Sequence, residues 1–202
     1  MPKKTVSLIL ILTMVLTLAS AVTATSASLT QEQEATILRD LGLFAGTNKG
    51  FELDRAPTRT EAVVLLLRML GKEQEAKDGN FKHPFKDVPT WADKQIGYAY
   101  EKGLTTGTSK TTFGSNDNTT SEQFITFTLR ALGYSDKDGK DFTFKDSINM
   151  GVKVGLVGNG EYASGSKSFI RGDCVSIIYS ALDKKLNGSE QRLIDKLVFN
   201  LY

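Results

Sequence analysis

Hydrophobic and polar positions follow the same order three times along this chain. In the first segment a glycine-flanked pentapeptide at 42–46 leads to Phe51, and seven positions later a polar tetrapeptide at 58–61 opens an apolar run at 62–70. Apart from Arg68, that run is apolar on nearly every side of a helix, which predicts burial among other helices rather than at a surface. The segment therefore predicts a helix, a loop and a second helix, with the second helix in the core.

Two further segments repeat this order. Because self-similarity at a fixed spacing is typical of repeated supersecondary units, the pattern predicts an all-α fold in which the three second helices form a central bundle. In the second copy the pentapeptide, the aromatic residue, the tetrapeptide and the apolar run lie at 103–107, Phe113, 120–123 and 124–132. In the third copy the corresponding parts lie at 155–157, Tyr162, 170–173 and 174–182, with one more residue in the loop.

The borders of the predicted helices carry signals of their own. Thr58 with Glu61, and Thr120 with Gln123, have the spacing of a capping box, in which each side chain accepts a hydrogen bond from a free backbone amide of the other residue. Gly103 stands where a left-handed C-terminal cap is expected. These signals predict helix starts at the two threonines and a helix end before the glycine.

The N-terminus has the composition of a secretory signal. Lys3 and Lys4 form a basic start, an apolar run follows at 6–18, and small residues complete a signal peptide at 1–27. We therefore expect a secreted protein whose mature part has no transmembrane segment. Of the 25 basic side chains two lie in this signal, which leaves 23 against 23 acidic side chains. A mature chain without net charge argues against nucleic acid as a partner.

The residues that could carry catalysis or bind a metal are few and scattered. Cys174 takes the apolar position of Ala62 and Phe124 in the other copies, which predicts a buried, inert thiol. The sole histidine, His83, precedes a proline in a linker and is expected to be exposed. A zinc site lacks ligands, and the acidic loop at 136–141 has its glycine at the fourth position instead of the sixth position of a calcium loop. We expect no enzyme, no cofactor and no metal.

The motif Phe-Lys-Asp-Val-Pro-Thr-Trp-Ala at 85–92, with the Thr-Arg-x-Glu element at 58–61, resembles S-layer homology domains of Gram-positive bacteria. Trp91 within that motif faces Ile96 and is expected in the core, the alternative being a sugar-stacking residue. The resemblance implies three repeats in a pseudo-threefold arrangement. It also implies non-covalent anchoring to secondary cell-wall polysaccharide, typically through a pyruvylated sugar bound in grooves between repeats. The predicted units are repeats at 28–72, 84–134 and 141–186 and a C-terminal helix at 189–202.

The resemblance also assigns candidate ligand-binding residues. The motif arginine corresponds to Arg59 and Arg171, whereas Ser121 replaces it in the second repeat. An arginine in the first turn of a helix stands near free amides and the positive end of the dipole, which suits a carboxylate, although a solvated helix start is the alternative. Gly46 and Gly107 could let the backbone approach a sugar, or could serve tight turns. We expect a location at the Gram-positive cell wall or cell surface, with a surface protein as a further partner. The alternative function is a structural subunit that assembles into a surface layer.

Overall fold

A computed structural model of the 202-residue chain describes residues 28–162 and 168–199, and the predicted signal at 1–27 lies outside these residues. The described part contains eight α-helices and no strand, with only isolated β-bridges, so the all-α prediction is confirmed. The helices are α1 (Gln31–Asp40), α2 (Arg59–Met69), α3 (Glu73–Asp78), α4 (Asp93–Glu101), α5 (Ser121–Ala131), α6 (Ser147–Lys153), α7 (Arg171–Leu182) and α8 (Leu193–Phe199).

Helices α2, α5 and α7 contribute to one buried apolar cluster, and α5 contacts both α2 and α7. The three positions aligned from the sequence, Ala62, Phe124 and Cys174, are each fully buried. The predicted convergence of the helices that start near 58, 120 and 171 on a common core is therefore confirmed. A pseudo-threefold arrangement of three repeats stays a prediction.

The apolar run at 62–70 is buried as its pattern predicts, with Arg68 and Leu70 half-buried. Each large apolar side chain that is fully buried stabilises a fold by about 1.5 to 3 kcal/mol. The only cysteine of the chain is unpaired, so this packing has no disulfide to assist it. The stability of the fold therefore rests on the common core.

Both predicted capping boxes are present. Thr58 and Thr120 each accept the amide of the residue three positions on, and Glu61 and Gln123 each accept the amide of the capping threonine. Helix α7 begins differently, because Ile170 has no acceptor in its side chain and only Asp173 completes half of a box by accepting the Ile170 amide at 2.9 Å. Helices α2 and α5 therefore begin where the sequence predicts, directly after the two threonines.

Trp91 does not lie in the core, and that prediction is wrong. Its side chain is 59% exposed, while the next residue, Ala92, is fully buried. The reason is a 3-10 turn at Thr90–Ala92 that precedes α4, so the periodicity of α4 does not extend back to the tryptophan. Ile96 is fully buried, as expected.

His83 is not exposed, and this prediction is also wrong. Its side chain is only 7% exposed because the ring stacks on Phe85 with a centroid distance of 5.3 Å. The Phe85 amide donates to His83 Nδ1 at 3.1 Å, so Nε2 carries the proton and donates to Asp93 at 3.1 Å. The histidine therefore fixes the linker in front of α4.

The last helix, α8, begins at Leu193, four residues after Ser189. The Ser189 hydroxyl accepts the Gln191 amide at 3.0 Å within a turn, and Asp195 accepts the Arg192 amide at 3.2 Å at the helix start. Leu193 and other apolar residues of α8 pack into the common core. None of the helices in the described part is long and apolar enough to cross a bilayer.

Candidate ligand groove

The start of α2 is joined to the loop that precedes α5 by backbone hydrogen bonds. The amides of Arg59 and Thr60 donate to the carbonyl oxygens of Asp117 at 2.9 Å and Ser115 at 3.4 Å. In the opposite direction, the amide of Thr119 donates to the Pro57 carbonyl oxygen at 2.9 Å. The amides that sequence reasoning treated as free for a carboxylate are therefore satisfied within the protein. Any anion at this junction has to be recognised by side chains.

The start of α7 has the same construction against the loop that precedes α2. The amides of Arg171 and Gly172 donate to the carbonyl oxygens of Arg55 and Leu53, each at 2.9 Å. In both junctions the first two amides of a central helix are thus covered by the loop before another central helix. The two arginines at 59 and 171 occupy equivalent places in this construction.

The side chain of Arg171 is buried and fully hydrogen-bonded within the protein. Arg171 is 3% exposed, and all three guanidinium nitrogens donate to protein acceptors. Nε reaches the Phe51 carbonyl at 3.1 Å, Nη1 reaches Glu61 Oε1 at 3.2 Å, and Nη2 reaches the Ala45 carbonyl at 3.2 Å. The guanidinium also lies over the Phe44 ring, 4.9 Å from its centroid. This arginine joins α7, α2 and the loop after α1.

Glu61 is the partner of two arginines at this junction. Besides Arg171, it accepts two bonds from Arg55 at 2.9 and 2.6 Å, and it accepts the Thr58 amide at 2.9 Å. Burial raises the pKa of Glu61, but the bonds from Arg55 and Thr58 and the charge of Arg171 outweigh it and hold the pKa below its usual value. The carboxylate is therefore ionised and compensated.

The side chain of Arg59 contrasts with that of Arg171. No acceptor among the described residues lies within hydrogen-bond distance of its guanidinium, and its buried Nε has no partner. The guanidinium lies over the Phe113 ring, 5.3 Å from the centroid. Burial lowers the pKa of Arg59, and the charge of Arg130 lowers it further while Asp117 opposes both. Buried polar groups normally have partners, so an arginine in this state marks a place for an external acceptor.

Arg59 lines a groove with a volume of about 470 Å³, within the size range of small-ligand sites. A second orphan atom lies here, because Thr126 is 2% exposed and its Oγ1 has no partner. The groove runs from the start of α2 along α5 to the loop before α6. Its lining residues are Arg59, Thr105, Thr106, Gly107, Thr108, Gln123, Thr126, Phe127, Arg130, Asp136 and Phe144.

The second cation of the groove, Arg130, is already paired. Its Nε and Nη2 donate to both oxygens of Asp136 at 2.8 and 2.7 Å, and Nη1 donates to the Leu104 carbonyl at 2.6 Å. Since Asp136 cancels the charge of Arg130, Arg59 supplies the unbalanced positive charge of the groove. The groove is therefore suited to one anionic group.

Phe144 adds an apolar surface to the groove. It lies in a 3-10 turn at Phe144–Asp146, before α6, and is 48% exposed. An exposed aromatic face beside polar groups can receive the apolar face of a sugar ring. The lining thus combines a cation, the unpaired hydroxyl of Thr126 and an aromatic face.

Asp87 holds in place the loop that carries Phe113. Its carboxylate accepts the amides of Phe113, Gly114 and Ser115 at 2.7, 2.7 and 3.1 Å. Burial raises the pKa of Asp87, but these backbone bonds outweigh it and the pKa lies below its usual value. The aspartate of the 85–92 motif thereby positions the ring on which Arg59 lies.

The predicted site residues fall in different places. Arg59 and Gly107 line the same groove, whereas Ser121 is absent from its lining and donates to Glu122 at 3.3 Å. At Gly107, which has a φ of +74°, an added Cβ would lie 2.7 Å from the Thr112 carbonyl oxygen. At Gly46 an added Cβ would lie 2.7 Å from the Gly50 carbonyl oxygen. Close approach of the chain in two loops accounts for both glycines.

Sequence reasoning missed several lining residues. In the sequence Gln123 carries only a capping signal, and the acidic loop that contains Asp136 was weighed only as a calcium site. Arg130 carried a signal, because it lies ten residues after its threonine, as Arg68 does, and both form a two-point ion pair with a following acid. No signal in the sequence marks Phe144 as a lining residue. In the described part no group of three or more His, Cys, Asp or Glu side chains could hold a metal ion.

Comparison with known proteins finds a family match in the central part of the chain. Residues 84–125 match the model of the S-layer homology domain. Over 147 residues, 69% of this chain and 19% of the relative, it is 35% identical to a cell surface protein of Thermoanaerobacter kivui. Over 106 residues, 51% of this chain and 10% of the relative, it is 32% identical to a surface layer protein of Brevibacillus choshinensis. An endoglucanase of Bacillus sp. (strain KSM-635) is 41% identical over 81 residues, 40% of this chain and 8% of that protein.

The chain thus spans less than a fifth of the length of these relatives. Its residues 84–125 are similar to the S-layer homology domain, a type of domain that generally anchors proteins to cell-wall polymers. The matches support a location at the cell surface or cell wall. The endoglucanase match covers too little of that protein to carry an argument for enzymatic activity.

Proposed function

We propose that this protein is a non-enzymatic cell-wall anchoring module, which binds a pyruvylated secondary cell-wall polysaccharide in the groove at Arg59. The observation that carries the proposal is the guanidinium of Arg59, which lies over Phe113 without a hydrogen-bond acceptor among the described residues. Such a group is free to donate to an acidic partner from outside. A pyruvate ketal supplies one carboxylate on an otherwise neutral sugar.

The chemistry of the lining fits an acid-bearing sugar. A carboxylate can accept two parallel bonds from the guanidinium, which is the strongest type of polar contact available here. The hydroxyl of Thr126 can bond a sugar hydroxyl, and the exposed ring of Phe144 can cover an apolar sugar face. One charge and several neutral contacts would give recognition without the broad basic surface that a polyanion needs.

The other predicted sites are weaker candidates. At Arg171 a ligand would have to replace Glu61 and two backbone carbonyls as acceptors. Ser121 offers no cation at the start of α5. We therefore propose that the carboxylate of the ligand binds Arg59, and that Gly107 provides the turn that shapes the groove wall.

A structural subunit of a surface layer is the second candidate function. It is favoured by the relative in Brevibacillus choshinensis, whose name is surface layer protein. Such a subunit would assemble laterally without needing the wall polymer. The two functions differ in the absence of the wall: a structural subunit would still assemble, whereas an anchoring module would stay unassembled.

Sedimentation separates the two functions. The mature protein is centrifuged alone, with wall sacculi that carry pyruvylated polymer, and with the same sacculi after removal of the polymer. Anchoring predicts a small soluble species that sediments only with the intact sacculi. Large particles in the absence of sacculi would favour the structural subunit, and equal binding to stripped sacculi would contradict recognition of the polymer.

A further inference from the structure

Glu61 and Gln123 occupy the same position in two capping boxes, but only one of them is charged. Glu61 accepts the Thr58 amide with Oε2, and its Oε1 accepts from Arg171 as well as from Arg55. Gln123 must use its oxygen to accept the Thr120 amide, at 3.3 Å. What remains on Gln123 is an amide nitrogen, which donates hydrogen bonds and accepts none.

The two residues also stand in equivalent junctions, one with Arg171 and the other in the groove that Arg59 lines. Arg171 begins a helix whose first amides bond the loop before α2, and Glu61 stands in the first turn of α2. Arg59 begins a helix whose first amides bond the loop before α5, and Gln123 stands in the first turn of α5 and lines the groove with Arg59. The same construction thus bonds a carboxylate to Arg171 and places an amide in the groove that Arg59 lines.

We infer that Gln123 is a specificity-determining residue, which keeps Arg59 uncompensated so that the groove binds one acidic ligand. The inference rests on the proposed function, since it names what makes that groove selective for an acid. At the Arg171 junction the internal carboxylate takes the place that a ligand carboxylate would fill. Glu61 therefore makes Arg171 a structural residue, and the chain binds one acidic group at these two junctions and not two.

Charge and hydrogen-bonding capacity both support this assignment. With Arg130 paired to Asp136, the groove keeps the charge of Arg59 and adds the amide donor of Gln123. Both groups can donate to one carboxylate. A glutamate at 123 would remove the donor, cancel the positive charge and offer Arg59 an acceptor of the kind that Arg171 has.

The test is Gln123→Glu, with a monosaccharide that carries a single pyruvate ketal as the probe in calorimetric titration. Gln123→Ala lacks the same amide but adds no charge, so it isolates the effect of the carboxylate. Gln33→Glu is the matched control, because Gln33 holds the same position in the capping box of α1, is exposed and lies outside the groove. Glutamate suits this capping position, so Gln123→Glu should melt no lower than the parent protein.

We expect one site per chain, unchanged affinity in Gln33→Glu, and binding by Gln123→Glu that is about tenfold to a hundredfold weaker than by Gln123→Ala. Equal affinity of the two variants at position 123 would overturn the inference while leaving the proposed function standing. Two sites of similar affinity would also overturn it, because Arg171 would then bind ligand. Failure of the parent protein to bind the probe would overturn the proposed function itself.

Discussion

Arg171 Nη1 lies 3.2 Å from Glu61 Oε1, although 110 residues separate them in the chain. The contact joins the first turn of α7 to the first turn of α2 and is nearly closed to solvent on the arginine side, where the side chain is 4% exposed. An arginine that resembles a ligand-binding residue in the sequence is thus bound to the protein itself. The corresponding arginine at 59 has no such partner among the described residues.

Replacing Arg171 by alanine should lower the free energy of unfolding. The substitution leaves Glu61 with Arg55 alone as its cationic partner and removes the donor to the carbonyls of Phe51 and Ala45, which should cost about 2 to 4 kcal/mol. Arg39→Ala is the control, because Arg39 is exposed and pairs only with its neighbour Asp40. Urea denaturation of both variants measures the difference. Equal stability of Arg171→Ala and the parent protein would contradict the structural role.

Acid should weaken the same junction. Because the pKa of Glu61 is lower in the folded protein than in the unfolded chain, its stabilising contribution is complete above the unfolded pKa of about 4.3 and is lost as the pH falls through the folded pKa. Glu61→Gln should therefore reduce the loss of stability below about pH 4.3, since glutamine can keep the cap as Gln123 does. Melting temperatures of the parent protein and of Glu61→Gln, measured from pH 7 to pH 3, give the slope of stability against pH for each protein. Identical slopes would show that Glu61 does not contribute to acid sensitivity.

The thiol of Cys174 should be inert in the folded protein. The residue is fully buried, and burial raises the pKa of the thiol well above its usual value. A thiol reagent should therefore react only after unfolding in urea, and Cys174→Ser should retain wall binding while losing about 1 to 3 kcal/mol of stability through a buried hydroxyl. Rapid reaction of the native protein would contradict the packing at this position.

Asp87 should affect the groove through the loop that it holds. Asp87→Ala frees the amides of Phe113, Gly114 and Ser115 and so loosens the ring beneath Arg59. We expect weaker binding to the wall polymer with the helical content unchanged, measured by sedimentation and circular dichroism. Asp40→Ala is a control at an exposed aspartate, the last residue of α1, outside the groove lining. Equal binding of the two variants would show that the loop needs no support from Asp87.

The sequence predicted those parts of the fold that depend on local patterns. The capping boxes at Thr58 and Thr120 are signals within four residues, and the burial of Cys174 follows from an apolar position that repeats. Trp91 was placed wrongly because a 3-10 turn interrupts the helical period in front of α4. The burial of His83 depends on a stack and two hydrogen bonds formed in the linker.

The candidate site was predictable only in part, because a groove joins residues that are distant in the chain. The resemblance pointed to Arg59, yet nothing within its own segment shows that its guanidinium lacks an acceptor. Arg171 looks the same in sequence, and its acceptors lie 110 to 126 residues away. Phe144 reaches the groove from the loop before α6 and belongs to no repeated motif.

The most direct test of the account is titration of the mature protein and Arg59→Ala with a monovalent pyruvylated sugar fragment, which removes the avidity of a polymer. Loss of one charge-assisted contact should weaken binding by about 1.5 to 3 kcal/mol, or roughly tenfold to a hundredfold. The affinity of Arg59→Lys should lie between those of the parent protein and Arg59→Ala, because lysine keeps the charge but cannot form two parallel hydrogen bonds. Arg39→Ala should bind as the parent does. If Arg59→Ala binds the fragment as tightly as the parent protein, the groove at Arg59 is not the site of recognition.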